Sequence, residues 1–332
     1  MFSKKMSFVL SHPDNDVKLP EGVWKQFECC RTRNKECLLS LCSDPTDPDP
    51  VTWETLERIH PKEHLARLRS DRKMLFGIFE IGGIKKNARV TEEDEKHILE
   101  PSLRSVGGIV LGTRLAYNDK SIVIVPNTGH HHASPTIADG SCLFSDVPLA
   151  WLLLRDEIRR NFVGQKPFVL NALYIDVDVH HANGFARTKK ECGMDSHFFM
   201  VDLFNEDIWP FTGESSLFDS MDHVNIAMPF HSGIGNKAYL SLLGNALKRV
   251  ETELPRIDMV FYMCSNDAMM GDPLGKTNVT ERAIYQRDRM VVEWARSRDL
   301  PIVIMPSRGY GPSSCRVSRE SMARLNDEYK IF

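Results

Sequence analysis

From residue 121 onward, short apolar runs alternate with longer segments of helical period. The runs cover residues 121–125, 168–175, 197–201, 224–228, 259–264 and 301–305. Between or after them, residues 147–162, 237–254, 281–298 and 315–329 place apolar side chains at helical spacing. Ser121-Ile122-Val123-Ile124-Val125 is β-branched and continuously apolar, the pattern of a strand buried on both faces. Strands of that kind separated by helices predict βαβ units, and therefore a parallel sheet covered by helices on both sides. Upstream, residues 7–11 read as a first strand and residues 22–40 and 52–70 as helices. Residues 92–117 carry a long helical pattern interrupted at Pro101 and at Gly107-Gly108. Residues 43–51 are proline-rich and read as a surface loop, because each proline blocks helix and sheet continuation. There is no internal repeat, and the 332 residues read as one α/β domain.

Composition narrows the function classes. Hydrophobic residues make up 42% and charged residues 26%, with a formal net charge of −3. That is globular composition without the basic footprint of a nucleic-acid binder. The N-terminal apolar run is too short for a signal peptide, and no stretch is long enough to span a bilayer. The expectation is a soluble protein of cytoplasm or nucleus. The 8 cysteines are dispersed, which favours reduced thiols over a disulfide framework, and Cys29, Cys30, Cys37 and Cys42 lack the paired spacing of a structural zinc site.

In open parallel sheets, sites form beyond the carboxyl ends of the strands. The residues found there are unusually polar. After residues 121–125 comes Asn127-Thr128-Gly129-His130-His131-His132-Ala133. After the apolar run ending at Ile175 comes Asp176-Val177-Asp178-Val179-His180. After residues 259–264 comes Ser265-Asn266-Asp267, followed by Gly271-Asp272-Pro273-Leu274-Gly275. After residues 301–305 comes Ser307-Arg308-Gly309-Tyr310-Gly311. Each cluster alone is compatible with ordinary turn chemistry. Together they are the inventory of a metal-dependent hydrolase. On a strand, Asp176, Asp178 and His180 share one face. Asp178, His180 and Asp267 could supply three ligands to a divalent ion, the number typical of a catalytic rather than a structural site. A neighbouring histidine could move a proton, and Tyr310 could donate to a developing oxyanion. Amide hydrolysis uses all of these parts.

The same residues resemble the zinc-dependent histone deacetylase family. The resemblance rests on His131-His132-Ala133, on Asp176-x-Asp178-x-His180 followed by Asn183-Gly184, on Asp267-x-x-x-Gly271-Asp272-Pro273-Leu274, and on Gly309-Tyr310. It implies a single-domain, three-layer α/β/α arrangement over residues 1–332, with a mainly parallel sheet of about eight strands (the arginase/deacetylase fold) and a divergent part over about residues 1–60. It also implies Zn2+ held by Asp178, His180 and Asp267, and a structural K+ near Asp176. In catalysis it makes His132 the proton shuttle oriented by Asn183, His131 an electrostatic partner held by Asp176, and Tyr310 the group that polarises the carbonyl. Gly140, Ser141, Trp209, Leu274 and Arg308 would line the substrate channel. Weaker similarity, in Leu99-Glu100-Pro101-Ser102-Leu103-Arg104, Gly107-Gly108, residues 200–210 and Asn183-Gly184, is to the class IV, histone deacetylase 11-like branch, which removes long-chain acyl groups from lysine more readily than acetyl.

The chain also departs from the family. Ser141 stands where many members place a phenylalanine, leaving Trp209 as the one matching aromatic wall, and Arg308 stands where a glycine usually precedes Gly309-Tyr310. A guanidinium there could occlude the site, bind an anionic group or point to solvent. The expectation is a zinc-dependent lysine deacylase acting on acyl-lysine proteins or peptides, histones among the candidates. The alternatives are a small-molecule amidohydrolase such as an acetylpolyamine deacetylase, and a catalytically weak metal-binding acyl-lysine reader.

Overall fold

The structure is a computed structural model that describes residues 8–9, 38, 41, 46–126, 129–161, 169–211 and 218–329. Seven strands form one sheet: β1 (Phe8–Val9), β2 (Ile122–Ile124), β3 (Ala172–Asp176), β4 (Phe198–Asn205), β5 (Ile226–Phe230), β6 (Met259–Met263) and β7 (Ile302–Met305). Every pairing is parallel, in the order β1-β2-β7-β6-β3-β4-β5. The expected count of about eight is therefore corrected to seven among the described residues. Seven is also the number of β-type runs in the chain; only the family resemblance asked for another.

Period-two alternation sorts the strands onto two cores. Val123, Tyr174, Phe198, Met200, Phe261, Met263 and Val303 face one side, and Ile122, Leu173, Ile175, Val201, Val260, Tyr262 and Ile302 face the other. The ten helices described are α1 (Trp53–Leu56), α2 (Lys62–Ser70), α3 (Arg72–Gly77), α4 (Glu92–Asp94), α5 (Glu100–Asp119), α6 (Asp146–Asn161), α7 (Asn183–Glu191), α8 (Asn236–Glu253), α9 (Glu281–Arg296) and α10 (Ser314–Tyr329). Helices α5, α6 and α7 cover the first core; α8, α9 and α10 cover the second. This is the three-layer α/β/α arrangement, because continuously apolar strands must be shielded on both faces.

Several local readings change. The helix expected over residues 52–70 breaks before Pro61, which caps α2. The pattern over residues 92–117 is not interrupted: α4, a π-type turn over Glu95–Leu99 and α5 follow without a gap, and Pro101 sits just after the π-type turn, where the hydrogen-bond ladder changes register. Gly107 is there for close approach, since a Cβ would lie 1.8 Å from the Asp49 carbonyl oxygen. The proline-rich loop is thus more than a surface excursion: Pro48 is buried, Val51 N donates to Leu103 O and Arg104 donates to Pro48 O. Helix α7 has no counterpart in the sequence reading. The helix expected over residues 22–40 lies outside the described residues, apart from Leu38. Cys142, Cys192 and Cys264 are free, as the preference for reduced thiols over a disulfide framework expects, whereas Cys315 is disulfide-bonded. No helix among the described residues is long and apolar enough to cross a membrane.

Consecutive strands run outward from β3 through β4 to β5, and then resume on its other side with β6 and β7. The direction of winding changes between β3 and β6, which opens a crevice at their carboxyl ends.

Candidate active site

Residues after β3 and β6 meet in that crevice. Asp176 ends β3 on the same face as Tyr174, and both of its oxygens are occupied. Oδ2 accepts from Tyr174 OH at 2.8 Å and pairs with His131 Nδ1 at 2.9 Å, while Oδ1 accepts from Asp178 N at 2.9 Å. Burial pushes its pKa up, with Asp202 and Asp178 adding to the rise and the donors opposing it. Asp176 is a fully engaged brace, not a free ligand.

Asp178, His180 and Asp267 are different. All three are buried and offer ligand atoms within 4.8 Å of one another. His180 Nδ1 lies 2.8 Å from Asp178 Oδ1 and 3.2 Å from Asp267 Oδ2. Asp178 Oδ2 and Asp267 Oδ2 are buried with no hydrogen-bond partner. Two buried carboxylates with only the His180 imidazole to offset them are costly, and a cation between them relieves that cost. The charges point the same way. Burial and the neighbouring Asp178 push Asp267 up to about 7. Burial alone would lower the His180 imidazole, but Asp178 and Asp267 drive it up to about 10. Burial works against ionisation of Asp178, yet His131, His180 and Arg308 hold it well below the usual carboxylate range. Two oxygens and one imidazole nitrogen suit zinc.

The loop after β2 supplies two histidines whose rings are 4.0 Å apart. Its start is anchored by Asp146, which accepts from Gly129 N and His130 N. His132 Nδ1 lies 2.8 Å from Asn183 Oδ1 at the start of α7, and its Nε2 is buried without a partner. An amide oxygen only accepts, so Nδ1 carries the proton and Nε2 presents a lone pair. Burial, then His131, Arg308 and His180, hold the His132 pKa well below the usual imidazole range. Gly184 allows α7 to approach: a Cβ there would lie 2.2 Å from the His132 carbonyl carbon.

Gly140 and Trp209 flank His132. The Trp209 ring is 4.6 Å from the His132 ring, and a Cβ on Gly140 would fall 2.5 Å from His132 Cδ2 and 3.1 Å from the Trp209 ring. Gly140 and Ser141 are both left-handed, with φ of 53° and 60°. Leu274 is half-buried, its N–H held by Asp272 Oδ1. Asp272 Oδ2 also accepts from Tyr310 N at 2.6 Å and Gly311 N at 3.0 Å, so one carboxylate ties the β6 and β7 loops together. Tyr310 is half-buried beside it.

Arg308 is only 3% exposed, which excludes the solvent-facing alternative. Its Nη1 lies 3.0 Å from His131 Nε2, and its Nη2 donates to Gly140 O at 3.1 Å and touches Cys142 Sγ at 2.6 Å. Sequence reasoning missed Tyr174, Asp146 and Cys142 as supports. Tyr174 alone carried a signal, since it precedes Asp176 by two residues and shares its face.

The family model described as a histone deacetylase domain matches residues 12–325. The chain is 29% identical over 234 residues to Histone deacetylase 2 of Arabidopsis thaliana, covering 70% of this chain and 55% of that protein. It is 28% identical over 214 residues to Histone deacetylase 8 of Xenopus tropicalis, covering 62% and 52%. The chain thus spans about half the length of these curated relatives. Among solved structures, the HDA15 HD domain superposes with a TM-score of 0.72 at 16% identity, over 98% of this chain and 92% of that one. An HDAC homolog complexed with SAHA gives 0.72 at 19%, over 96% and 84%. At these identities the structures speak for the fold alone.

Proposed function

The chain belongs to the histone deacetylase family, and from that premise we propose that it hydrolyses the amide bond of acyl-lysine in proteins or peptides. The observation that carries this reading is the convergence of three buried atoms that make no hydrogen bond, Asp178 Oδ2, Asp267 Oδ2 and His132 Nε2, at one crevice. Asp178, His180 and Asp267 would hold the zinc ion. When bound there, zinc supplies Lewis acidity that polarises a carbonyl and acidifies water.

The chain's own residues do the rest. Neutral His132, oriented through Nδ1 by Asn183, accepts a proton at Nε2 as water attacks the carbonyl carbon. It returns that proton to the lysine amine as the C–N bond breaks. Tyr310 donates a hydrogen bond to the carbonyl oxygen as negative charge develops on it. His131, held by Asp176, fixes the floor beside His132. Gly140 and Trp209 flank the acyl-lysine side chain, with Ser141 and Leu274 at the channel. K+ at the backbone around Asp176 is part of this reading, as is kinship to the class IV branch; both rest on the sequence motifs rather than on the relatives named above. Histones are candidate substrates. Arg308, crowded against His131, favours one second reading, an acyl-lysine binder with little turnover.

The test is turnover of acetyl-lysine and myristoyl-lysine peptides, beside acetylpolyamines, by the zinc-loaded protein. Hydrolysis of a lysine peptide, lost in His132→Ala, is the expected result. A folded protein that binds no divalent ion, or whose turnover survives His132→Ala, overturns the reading. Selective hydrolysis of acetylpolyamines replaces the substrate.

A further inference from the structure

Arg308 stands at a position where the resemblance called for glycine, and its partners say what the change does. A guanidinium only donates. At 3.0 Å from Arg308 Nη1, His131 Nε2 must therefore present its lone pair. The single proton of that neutral ring then sits on Nδ1, facing Asp176 Oδ2 at 2.9 Å. Both nitrogens of His131 are committed. On the adjacent His132 one nitrogen is committed to Asn183, and the other is buried and open.

The second arm of the guanidinium reaches the other side of the same pair. Arg308 Nη2 donates to the carbonyl oxygen of Gly140, the residue that lies against the His132 and Trp209 rings. One side chain thus braces His131 directly and His132 through the Gly140 turn. It does so without a carboxylate ion pair among the described residues, and with Nε buried and unpartnered. Asp178 and Asp267 offset the charge only from beyond ion-pair distance, and for a purely structural role an uncharged side chain would fill the space at lower cost.

We propose that Arg308 is a positioning residue: it commits His131 to the Nδ1–H tautomer, closes its Nε2 to the reacting water, and leaves His132 as the one proton carrier. The catalytic half of this inference rests on the functional reading above; the tautomer half does not.

The test uses the full-length, zinc-loaded protein with 15N-labelled histidine. The His131 resonances are identified by their loss in His131→Gln. Around neutral pH the expected spectrum has His131 protonated at Nδ1 and unprotonated at Nε2. Arg308→Met should abolish that fixed pattern and lower kcat about tenfold or more, with KM changed by less than about threefold, because the donor acts on proton handling rather than on substrate binding. Arg308→Lys, which keeps a charged donor, should restore part of both. A protonated Nε2 on His131 in the wild type overturns the proposal. So does a folded Arg308→Met in which the His131 pattern persists. If Arg308→Met fails to fold, the wild-type and Arg308→Lys spectra decide. If the wild type turns over no acyl-lysine, the functional reading fails, and the tautomer measurement still judges the role of Arg308.

Discussion

Substituting Gly184 by alanine adds one methyl group where there is no room for it. The new Cβ would lie 2.2 Å from the His132 carbonyl carbon, 2.3 Å from its oxygen and 2.6 Å from Ala133 N. Uncharged carbon atoms approach to ~3.5 Å, so the start of α7 and the histidine loop must part by roughly 1.3 Å. All three obstacles are backbone atoms, so no rotamer change relieves the clash. Two hydrogen bonds span the gap: Phe185 N donates to His131 O at 2.9 Å, and Asn183 Oδ1 accepts from His132 Nδ1 at 2.8 Å. Opened by that amount, the second reaches roughly 4 Å, beyond hydrogen-bonding range. Overpacking of this kind costs ~1–3 kcal/mol of stability. The activity loss should be larger in proportion, about a hundredfold in kcat/KM, because a ~1 Å displacement of a catalytic group has that effect. Gly77→Ala is the control: the same methyl meets nothing within 4 Å, in a helix that alanine favours. The assay is kcat/KM on an acyl-lysine peptide alongside urea denaturation of both variants. A folded Gly184→Ala that keeps kcat/KM within about threefold of wild type would refute the claim that this contact positions His132.

Other consequences follow from the same geometry. Asp267→Asn should abolish zinc retention in equilibrium dialysis, whereas His132→Ala should retain zinc while losing about 10²–10⁴-fold in kcat. In the chelated protein, Asp267 is raised from 3.8 to about 7 and His180 from 6.5 to about 10. Both groups therefore bind protons more tightly when folded, and stability should fall as pH rises, through 3.8 to about 7 for the first and 6.5 to about 10 for the second. Below 6.5 the lowered imidazoles of His132, His131 and His60 act the other way, so the test is melting curves from pH 6.5 to about 10, which should show the decline in the chelated protein and its suppression by zinc; a metal-free Tm that rises over that window would contradict the charge reading. Leu173→Ala, at a fully buried position on the interior strand β3, should cost ~2–5 kcal/mol and shift the urea midpoint at unchanged slope.

The strand runs, their parallel pairing and the helix layers were legible in the sequence, because strand and helix periods are local properties that survive without a tertiary context. So was the grouping of Asp178, His180 and Asp267: β3 ends at Asp176, but its alternation carries on past that end, with Val177 and Val179 in the same core as Leu173 and Ile175, and parallel topology gathers strand ends. The interruption read at Gly107-Gly108 failed because it took glycine as a breaker, when the contact that explains Gly107 comes from residue 49. Helix α7 was invisible for a related reason: it is short, and packing against the histidine loop holds it in place.

What the chain alone determined is therefore the chemistry on offer: two carboxylates and an imidazole for a cation, histidines for a proton, a tyrosine for an oxyanion. Only the tertiary structure decided which atoms are spent and which remain open. Asp176 is consumed by Tyr174, His131 and Asp178 N, and His131 by Asp176 and Arg308, while His132 keeps a buried lone pair. Tyr174 and Asp178 are two positions from Asp176, but the two contacts that spend His131 join residues 45 and 177 positions apart. Hydrogen-bond saturation is a property of atoms brought together from distant strands, and no local pattern encodes it.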